Sequence, residues 1–282
     1  MFKMLQKRPN FKSSHYIKKR RKQAIFRACL WFLFIVSLIW GASFWSHNEF
    51  FTIKNIKIVG NDVTVKEDIE NIIVADTAGN YFGLFSRANI IIYPKSKIKK
   101  DILNQFKRIS QVDIGMSDRD SIEVDVVERK PIALWCTSGQ DITEVNLLSD
   151  ECYFLDETGY IFAKAATFTG NVFFKYYGSV DGGPIGVGYF PESKFVNLEA
   201  FIKGLENLKI KPIYLSTTPD GDFEAHLAGG SKIIFNDKDI SNTLINLDSL
   251  LSKNNLIGEE VISSLDYIDL RFGNKLFYKL KE

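Results

Sequence analysis

Hydrophobic residues along this chain follow three patterns, and each pattern predicts a different kind of segment. The first is an unbroken apolar stretch from Ala28 to Trp45, 18 residues without a charged side chain. An α-helix rises about 1.5 Å per residue, so this stretch, slightly extended, crosses the roughly 30 Å hydrocarbon core of a bilayer. Trp31 lies near one end and Trp40 near the other, which suits the two membrane interfaces. We therefore predict a single transmembrane helix over 28–48.

The second pattern is a strand, two amphipathic helices and two further strands over residues 51–129. Polar and apolar residues alternate within Phe50–Gly60, which predicts a half-buried strand. Thr64 and Glu67 match a capping box at the start of a helix with one apolar face. A second helix is predicted after Pro94, and two alternating strands close the unit. The predicted order is therefore βααββ.

The third pattern is a series of short strands with frequent turn signals over residues 130–282. Two helices interrupt the series, at Ser193–Leu208 and Asp239–Leu251, because apolar residues there recur at helical spacing. The expected fold class is α+β: one transmembrane helix, a βααββ domain and a mixed, strand-rich α+β domain. The strands predicted in this last region are Ile132–Cys136, Cys152–Leu155, Tyr160–Ala163, Val172–Tyr177, Ile210–Ser216, Phe223–Leu227, Lys232–Phe235, Tyr267–Phe272 and Leu276–Leu280.

The distribution of charge gives the apolar stretch an orientation. Ten Lys and Arg residues lie between Met1 and Arg27, and no Asp or Glu precedes Glu49. Basic residues concentrate on the cytoplasmic side of a span, so we expect 1–27 to be a cytoplasmic tail and the rest to lie outside. A cleavable signal peptide normally has a shorter basic region, so we expect the span to be retained as an anchor. The basic run Lys18–Lys22 would also suit nucleic acid, but beside a membrane span we expect no nucleic-acid partner.

Three cysteines are present, and two of them face an oxidising compartment in this topology. Cys29 lies inside the predicted span. Cys136 and Cys152 lie outside, where disulfides persist, and flank the polar stretch Thr137–Glu151. The sequence leaves open a disulfide that closes this loop and a pair of buried thiols.

Catalytic chemistry has little support in the sequence. Nucleophilic catalysis and zinc sites usually need histidine, and the chain has only His15, His47 and His226. The glycines of Gly182–Gly188 lack the strand–turn–helix setting of a phosphate-binding loop. We expect no enzymatic activity, no cofactor and no small-molecule substrate.

Four short motifs, taken in order, resemble the FtsQ/DivIB family of bacterial cell-division proteins. They are IKIVGN at Ile56–Asn61, IEVDVVERKP at Ile122–Pro131, FLDETGYIF at Phe154–Phe162 and IDLRF at Ile268–Phe272. Together with the basic tail and the apolar stretch, the resemblance covers almost the whole chain. It implies that 51–129 is a POTRA domain and that 130–282 is an FtsQ-type β domain.

The resemblance also implies a function. Members of the family are non-catalytic single-pass scaffolds, with the N-terminus in the cytoplasm, that are enriched at the division septum. They link early and late division proteins by binding the paired single-span proteins FtsB and FtsL, and they help control septal wall synthesis. The implied partners are therefore an FtsB/FtsL-type complex, the lipid bilayer and components of the septal wall synthase.

The implied binding mode is strand addition at the C-terminal edge of a sheet, where a partner strand satisfies unpaired backbone groups. Phe272 and Phe277 are the candidate anchors in the interface, because aromatic residues tend to dominate interface energies. In the alternative interpretation, Leu276, Tyr278 and Leu280 alternate only to close a core face. The candidate partner-binding residues are Arg271, Phe272, Gly273, Asn274, Lys275, Leu276, Phe277 and Tyr278.

Two other functions remain open at this stage. A bitopic scaffold of another envelope complex would share these features, because a fold does not dictate its partner. A membrane-anchored cell-wall hydrolase would need two carboxylates flanking a cleft, and no acidic residue lies in a recognisable motif of that kind.

Overall fold

The computed structural model describes residues 14–137, 151–166, 172–253, 264–273 and 275–281. The chain forms two compact units, described separately below. The first comprises the described residues of 1–102 together with 112–126, and the second comprises 103–111 and the described residues after 127.

The first helix, α1, runs from Ser14 to Ser46 and contains the whole apolar stretch. Within the described ranges it is the one helix long and apolar enough to cross a membrane, with a mean hydropathy of 2.0 over its most apolar window. None of that window is buried, so no other part of the chain that the structure describes covers it. A 33-residue helix with uncovered Leu, Ile, Phe and Trp side chains is compatible with a single-pass anchor.

The first unit continues with two larger helices and a three-stranded sheet in the order β1-β5-β4. Strands β1 and β5 are parallel, with Asn55 opposite Ser121 and Val59 opposite Asp125. A small hairpin, β2–β3, lies between the two helices along the chain. The elements are β1 Asn55–Val59, α2 Lys66–Thr77, β2 Asn80–Tyr81, β3 Phe85–Ser86, α3 Lys95–Gln105, β4 Ile109–Asp118 and β5 Ser121–Glu128.

Isoleucines spaced four residues apart explain why the two larger helices bury one face. Ile69 and Ile73 of α2 and Ile98 and Ile102 of α3 are fully buried, since residues i and i+4 share one side of a helix. The strand, the two helices and the two closing strands predicted from the sequence are present, but the β2–β3 hairpin lies between the helices, so the order differs from the predicted βααββ. The predicted capping position is wrong by one residue, because α2 begins at Lys66 with Val65 as its N-cap.

The second unit is built on one nine-stranded mixed sheet, in the order β14-β13-β12-β11-β10-β9-β6-β7-β8. Parallel pairs join β6 to β9, β9 to β10 and β12 to β13, and the other neighbours are antiparallel. The elements are β6 Ala133–Cys136, β7 Cys152–Leu155, β8 Ile161–Lys164, β9 Phe174–Tyr177, α4 Glu192–Asn207, β10 Pro212–Thr217, β11 Phe223–Leu227, β12 Lys232–Phe235, α5 Ile240–Lys253, β13 Leu265–Phe272 and β14 Lys275–Leu280.

Helices α4 and α5 cover one face of this sheet and form the main core with it. Phe195 and Phe201 of α4 are fully buried, and the Phe201 ring stacks on Phe235 of β12 with centroids 3.8 Å apart. Leu247 and Leu251 of α5 join the same cluster. All the strands and both helices predicted for this region are present, with ends that differ by a few residues. The α+β class is confirmed.

Candidate functional site

The C-terminal hairpin of β13 and β14 lies at one edge of the nine-stranded sheet. Phe272 pairs with Lys275 across the turn, and Gly273 has a φ of 63°, a left-handed conformation that glycine adopts without strain. Asn274, the other predicted turn residue, lies outside the described residues. Within the described ranges, β14 pairs with β13 on one side and with no strand on the other. The predicted strand is therefore a sheet edge.

The backbone of β14 alternates between its neighbour and the open edge. Lys281 donates its N–H to the Ser264 carbonyl on the neighbouring strand, at 3.0 Å. Residues of an antiparallel pair turn their N–H and C=O groups to the neighbour at every second position. By this alternation the backbone groups of Leu276, Tyr278 and Leu280 point away from β13. These three residues can accept and donate the bonds of an added strand.

Arg271 and Asp269 form an ion pair within β13, the strand next to this edge. The guanidinium of Arg271 donates from Nε to Asp269 Oδ1 at 2.9 Å and from Nη2 to Asp269 Oδ2 at 2.6 Å. Burial alone would raise the pKa of Asp269, but the hydrogen bonds and charge of Arg271 outweigh burial and lower this pKa. Asp269 accordingly keeps its charge, and its residue is only 6% exposed. The two residues share a face because they lie two apart on a strand.

Two asparagines from outside the strand fix the turn. Asn236 donates its Nδ2 to the Arg271 carbonyl at 3.3 Å, and Asn246 of α5 donates its Nδ2 to the Gly273 carbonyl at 2.9 Å. Peptide carbonyls of a tight turn would otherwise depend on water. The turn is therefore attached to the helix layer.

An exposed aromatic pair lies beside the turn. The rings of Phe272 and Phe277 meet edge to face with centroids 5.2 Å apart, and their residues are 53% and 51% exposed. Phe277 stands opposite Asp269, and Leu276, on the other side of the strand, packs against the main core. Phe277 therefore lies on the sheet face opposite the helices.

The alternative core-closing role of β14 is only partly right. Leu276 packs against the main core, but Tyr278 and Leu280, which share its face, are both more than half exposed. The apolar side chains of β14 beyond Leu276 thus remain uncovered.

The opposite edge of the sheet is protected. Ile161 of β8 donates its N–H to the Val187 carbonyl at 2.9 Å and accepts from the Gly186 N–H at 2.8 Å. A loop therefore takes the place of a further strand there. This protection makes the β14 edge the better candidate for strand addition.

Cys136 and Cys152 face each other across the β6–β7 pair and are joined by a disulfide. The disulfide is the first of the two alternatives that the sequence leaves open. Cys136 is completely buried, and the predicted loop between the cysteines lies largely outside the described residues. The bond attaches this loop to the sheet at both of its ends.

The Asp156 carboxylate stabilises the turn Asp156–Gly159. Asp156 Oδ1 accepts from the N–H groups of Thr158 and Tyr160, at 2.9 and 3.0 Å, and Arg129 pairs with the other carboxylate oxygen. Burial would raise the pKa of Asp156, but the hydrogen bonds from Thr158 and Arg129 lower it below its usual value. This carboxylate is fully engaged as an anion.

His226, the one histidine far from the membrane segment, is packed. Its ring stacks on Tyr214 with centroids 4.3 Å apart, and its Nε2 lies 2.9 Å from the Ser216 hydroxyl. His226 and the ion pair to Lys232 lower the pKa of Glu224 to about 2. Among the residues that the structure describes, no group of three or more His, Cys, Asp or Glu could hold a metal ion.

Several supporting residues of the C-terminal hairpin carry no sequence signal. Asp222, Asn236 and Asn246 lie far from the turn along the chain and contact the hairpin only after folding.

Comparison with known proteins found no matching family model and no matching curated protein. The geometry of the edge therefore carries the functional argument.

Proposed function

We propose that this protein is a bitopic, non-catalytic scaffold of the bacterial cell-division machinery, similar to the FtsQ/DivIB family. In this proposal α1 anchors the chain with its N-terminus in the cytoplasm, and both units lie on the far side. An FtsB/FtsL-type partner adds a strand to β14, and the assembly helps control septal wall synthesis together with wall synthase components.

The observation that carries the proposal is the open β14 edge. A long uncovered edge with apolar side chains invites aggregation, and proteins normally shield such edges. Here β14 leaves Phe277, Tyr278 and Leu280 exposed, while the ion pair between Arg271 and Asp222 joins its neighbour β13 to the turn before β11. A rigid edge with exposed aromatics suits strand addition, in which backbone bonds give affinity and side chains give specificity.

The first unit adds support of a different kind. Its order of one strand, two larger helices and two strands, with β1 parallel to β5, is the order expected of a POTRA domain. We propose that 51–129 is such a domain and that it follows the membrane anchor directly.

A scaffold of another envelope complex would use the same edge. It would differ from a division protein in its partner and in its location in the cell.

A membrane-anchored hydrolase is less well supported. A glycosidase needs a general acid with a raised pKa, whereas the pKa values of Asp156, Glu224 and Asp269 are all lowered by cationic or hydrogen-bonding neighbours.

Copurification of the full chain with its single-span partners from detergent-solubilised membranes tests strand addition. Tyr278→Pro removes an N–H that points to the open edge, and Tyr278→Ala is the matched control that keeps this N–H and removes the ring. We expect the proline variant to capture much less partner than the alanine variant, because proline cannot donate to an added strand. Equal capture by the two variants would rule out backbone pairing at this position.

Fluorescence imaging of a tagged copy at native level tests the cellular role. We expect a band at midcell in dividing cells. Uniform membrane fluorescence combined with capture of a single-span partner would favour the scaffold of another envelope complex.

A further inference from the structure

The hairpin of β2 and β3 ends in an uncharged, exposed apolar tip. No charged residue occurs between Thr77 and Ser86. Phe82 at the tip is 95% exposed, and Leu84 beside it is 40% exposed. The Leu84 N–H donates to the Tyr81 carbonyl at 2.9 Å, which closes the turn. Among the described residues, no other large hydrophobic side chain is as exposed as Phe82.

Three hydrogen bonds attach the hairpin and the segment after it to the end of α1. Ser43 Oγ donates to the Leu84 carbonyl at 2.5 Å, and the Ser86 N–H donates to Ser46 Oγ at 2.7 Å. Asn89 Nδ2 donates to the Ser46 carbonyl at 3.1 Å. The hairpin therefore lies against the last turn of the helix.

The position of Ser43 along α1 sets the depth of the hairpin. The 20 residues from Arg27 to Ser46 span about 30 Å, which matches the hydrocarbon core of a bilayer. Ser43 precedes Ser46 by three residues, so it lies about 4.5 Å inside that boundary. Because the Leu84 carbonyl is only 2.5 Å from Ser43 Oγ, the tip of the hairpin lies at nearly the same depth.

The hairpin is suited to such a position. Backbone polar groups in lipid need partners, and two of those beside the tip have them, since the Leu84 N–H donates to the Tyr81 carbonyl and the Leu84 carbonyl accepts from Ser43 Oγ. Aromatic side chains favour the interface between headgroups and acyl chains. Arg87 follows the hairpin, with its guanidinium 5.3 Å from the centroid of the Tyr81 ring.

We propose that the β2–β3 tip, through Phe82 and Leu84, inserts into the bilayer leaflet on the side of the two units and docks the first unit on the lipid surface. The inference rests on the proposed membrane anchoring. It assigns the first unit a second, shallow membrane contact next to the span.

The test places an environment-sensitive NBD fluorophore at single positions of the full chain in lipid nanodiscs. The background variant carries Cys29→Ser and keeps the Cys136–Cys152 disulfide. Phe82→Cys reports the tip, Val36→Cys reports the middle of α1, and Val74→Cys reports an exposed apolar position of α2 that is not in the hairpin. Lipids with a nitroxide near the top of the acyl chain quench fluorophores at the depth expected for the tip, and lipids with a nitroxide near the end of the acyl chain quench position 36 in the middle of the span.

We expect a blue-shifted emission at position 82 and a loss of about half or more of its intensity to the nitroxide lipid, as for a group buried about 5–10 Å into the headgroup boundary. Position 74 should show neither effect. If position 36 is quenched and position 82 behaves like position 74, the hairpin lies in water and the inference is overturned while the anchor stands. If position 36 is not quenched either, the membrane anchoring itself is wrong, and the inference is lost with it.

Discussion

Arg271 donates from Nη1 to Oδ2 of Asp222 at 2.8 Å, although 49 residues separate the two along the chain. The same guanidinium holds both oxygens of the neighbouring Asp269. One arginine thereby joins β13 to the turn before β11 and keeps a nearly buried carboxylate paired. The candidate docking edge depends on this junction.

Arg271→Ala should destabilise the C-terminal hairpin locally. The change removes the two guanidinium donors of the buried Asp269 and leaves it the backbone N–H of residue 271, which costs about 1–3 kcal/mol for hydrogen bonds to a charged group. Hydrogen exchange of the full chain measures this effect. Relative to wild type, the variant should lose more amide protection in β13 and β14 than in β10. Lys279→Ala breaks an exposed pair with Asp266 and is the control, since exposed pairs contribute little. Equal protection in wild type and Arg271→Ala would contradict the anchoring role.

Glu224→Gln should flatten the acid dependence of stability. The pKa of Glu224 is lowered from 4.5 to about 2, so the ionised group stabilises the fold above pH 4.5. This contribution is lost as the pH falls toward 2, because the unfolded state takes up the proton first. We expect this contribution to the free energy of unfolding to be about 1–2 kcal/mol. It is smaller than the pKa shift alone would give, because Glu224 is partly solvated. Thermal unfolding between pH 7 and 2 measures how steeply stability falls with pH. The same steepness in wild type and in the variant would show that Glu224 does not contribute to this acid dependence.

Phe277→Ala should weaken partner capture more than folding. Half of the ring is already exposed, so we expect less than about 1 kcal/mol of lost stability. An anchor in a protein interface typically contributes about 1–2 kcal/mol or more, so capture should fall about tenfold. Val196→Ala on α4 removes a comparably exposed apolar side chain away from the edge and should capture partner normally. Capture by Phe277→Ala at the wild-type level would remove this ring from the proposed interface.

Loss of the disulfide should destabilise the second unit. The bond closes a loop with a sequence separation of 16. Closing a loop of that size raises the free energy of unfolding by about 3 kcal/mol, because it restricts the unfolded chain. The double variant Cys136→Ala, Cys152→Ala should melt at a lower temperature than wild type. Cys29→Ala, which leaves the bond intact, is the control and should melt like wild type. Equal melting temperatures of wild type and the double variant would contradict the stabilising role of the bond.

Local patterns in the sequence predict most elements and fewer of the pairings. Alternation and helical spacing identify α5, predicted as Asp239–Leu251 and observed as Ile240–Lys253. The parallel pairing of β6 with β9 has no local signal, because it depends on which strands the helices bring together after folding. Strands of two residues, such as Asn80–Tyr81, are too short to show an alternation, so the sequence indicates only a connector there.

The candidate edge shows the same division between local and distant causes. The turn at Gly273 and the following strand are predictable from glycine and alternation. Leu276 and Tyr278 have the same parity and are indistinguishable by pattern, yet only Leu276 reaches the core. Tyr278 lies opposite the buried Ile268 and is nevertheless 53% exposed, so the alternation alone does not show which of the two residues is covered.

Ser43 and Ser46 connect the end of α1 mechanically to the β2–β3 hairpin and the segment after it. Their hydrogen bonds to Leu84, Ser86 and Asn89 take the place of a flexible linker at this point. A change in the direction of α1 therefore passes to the hairpin through these three bonds.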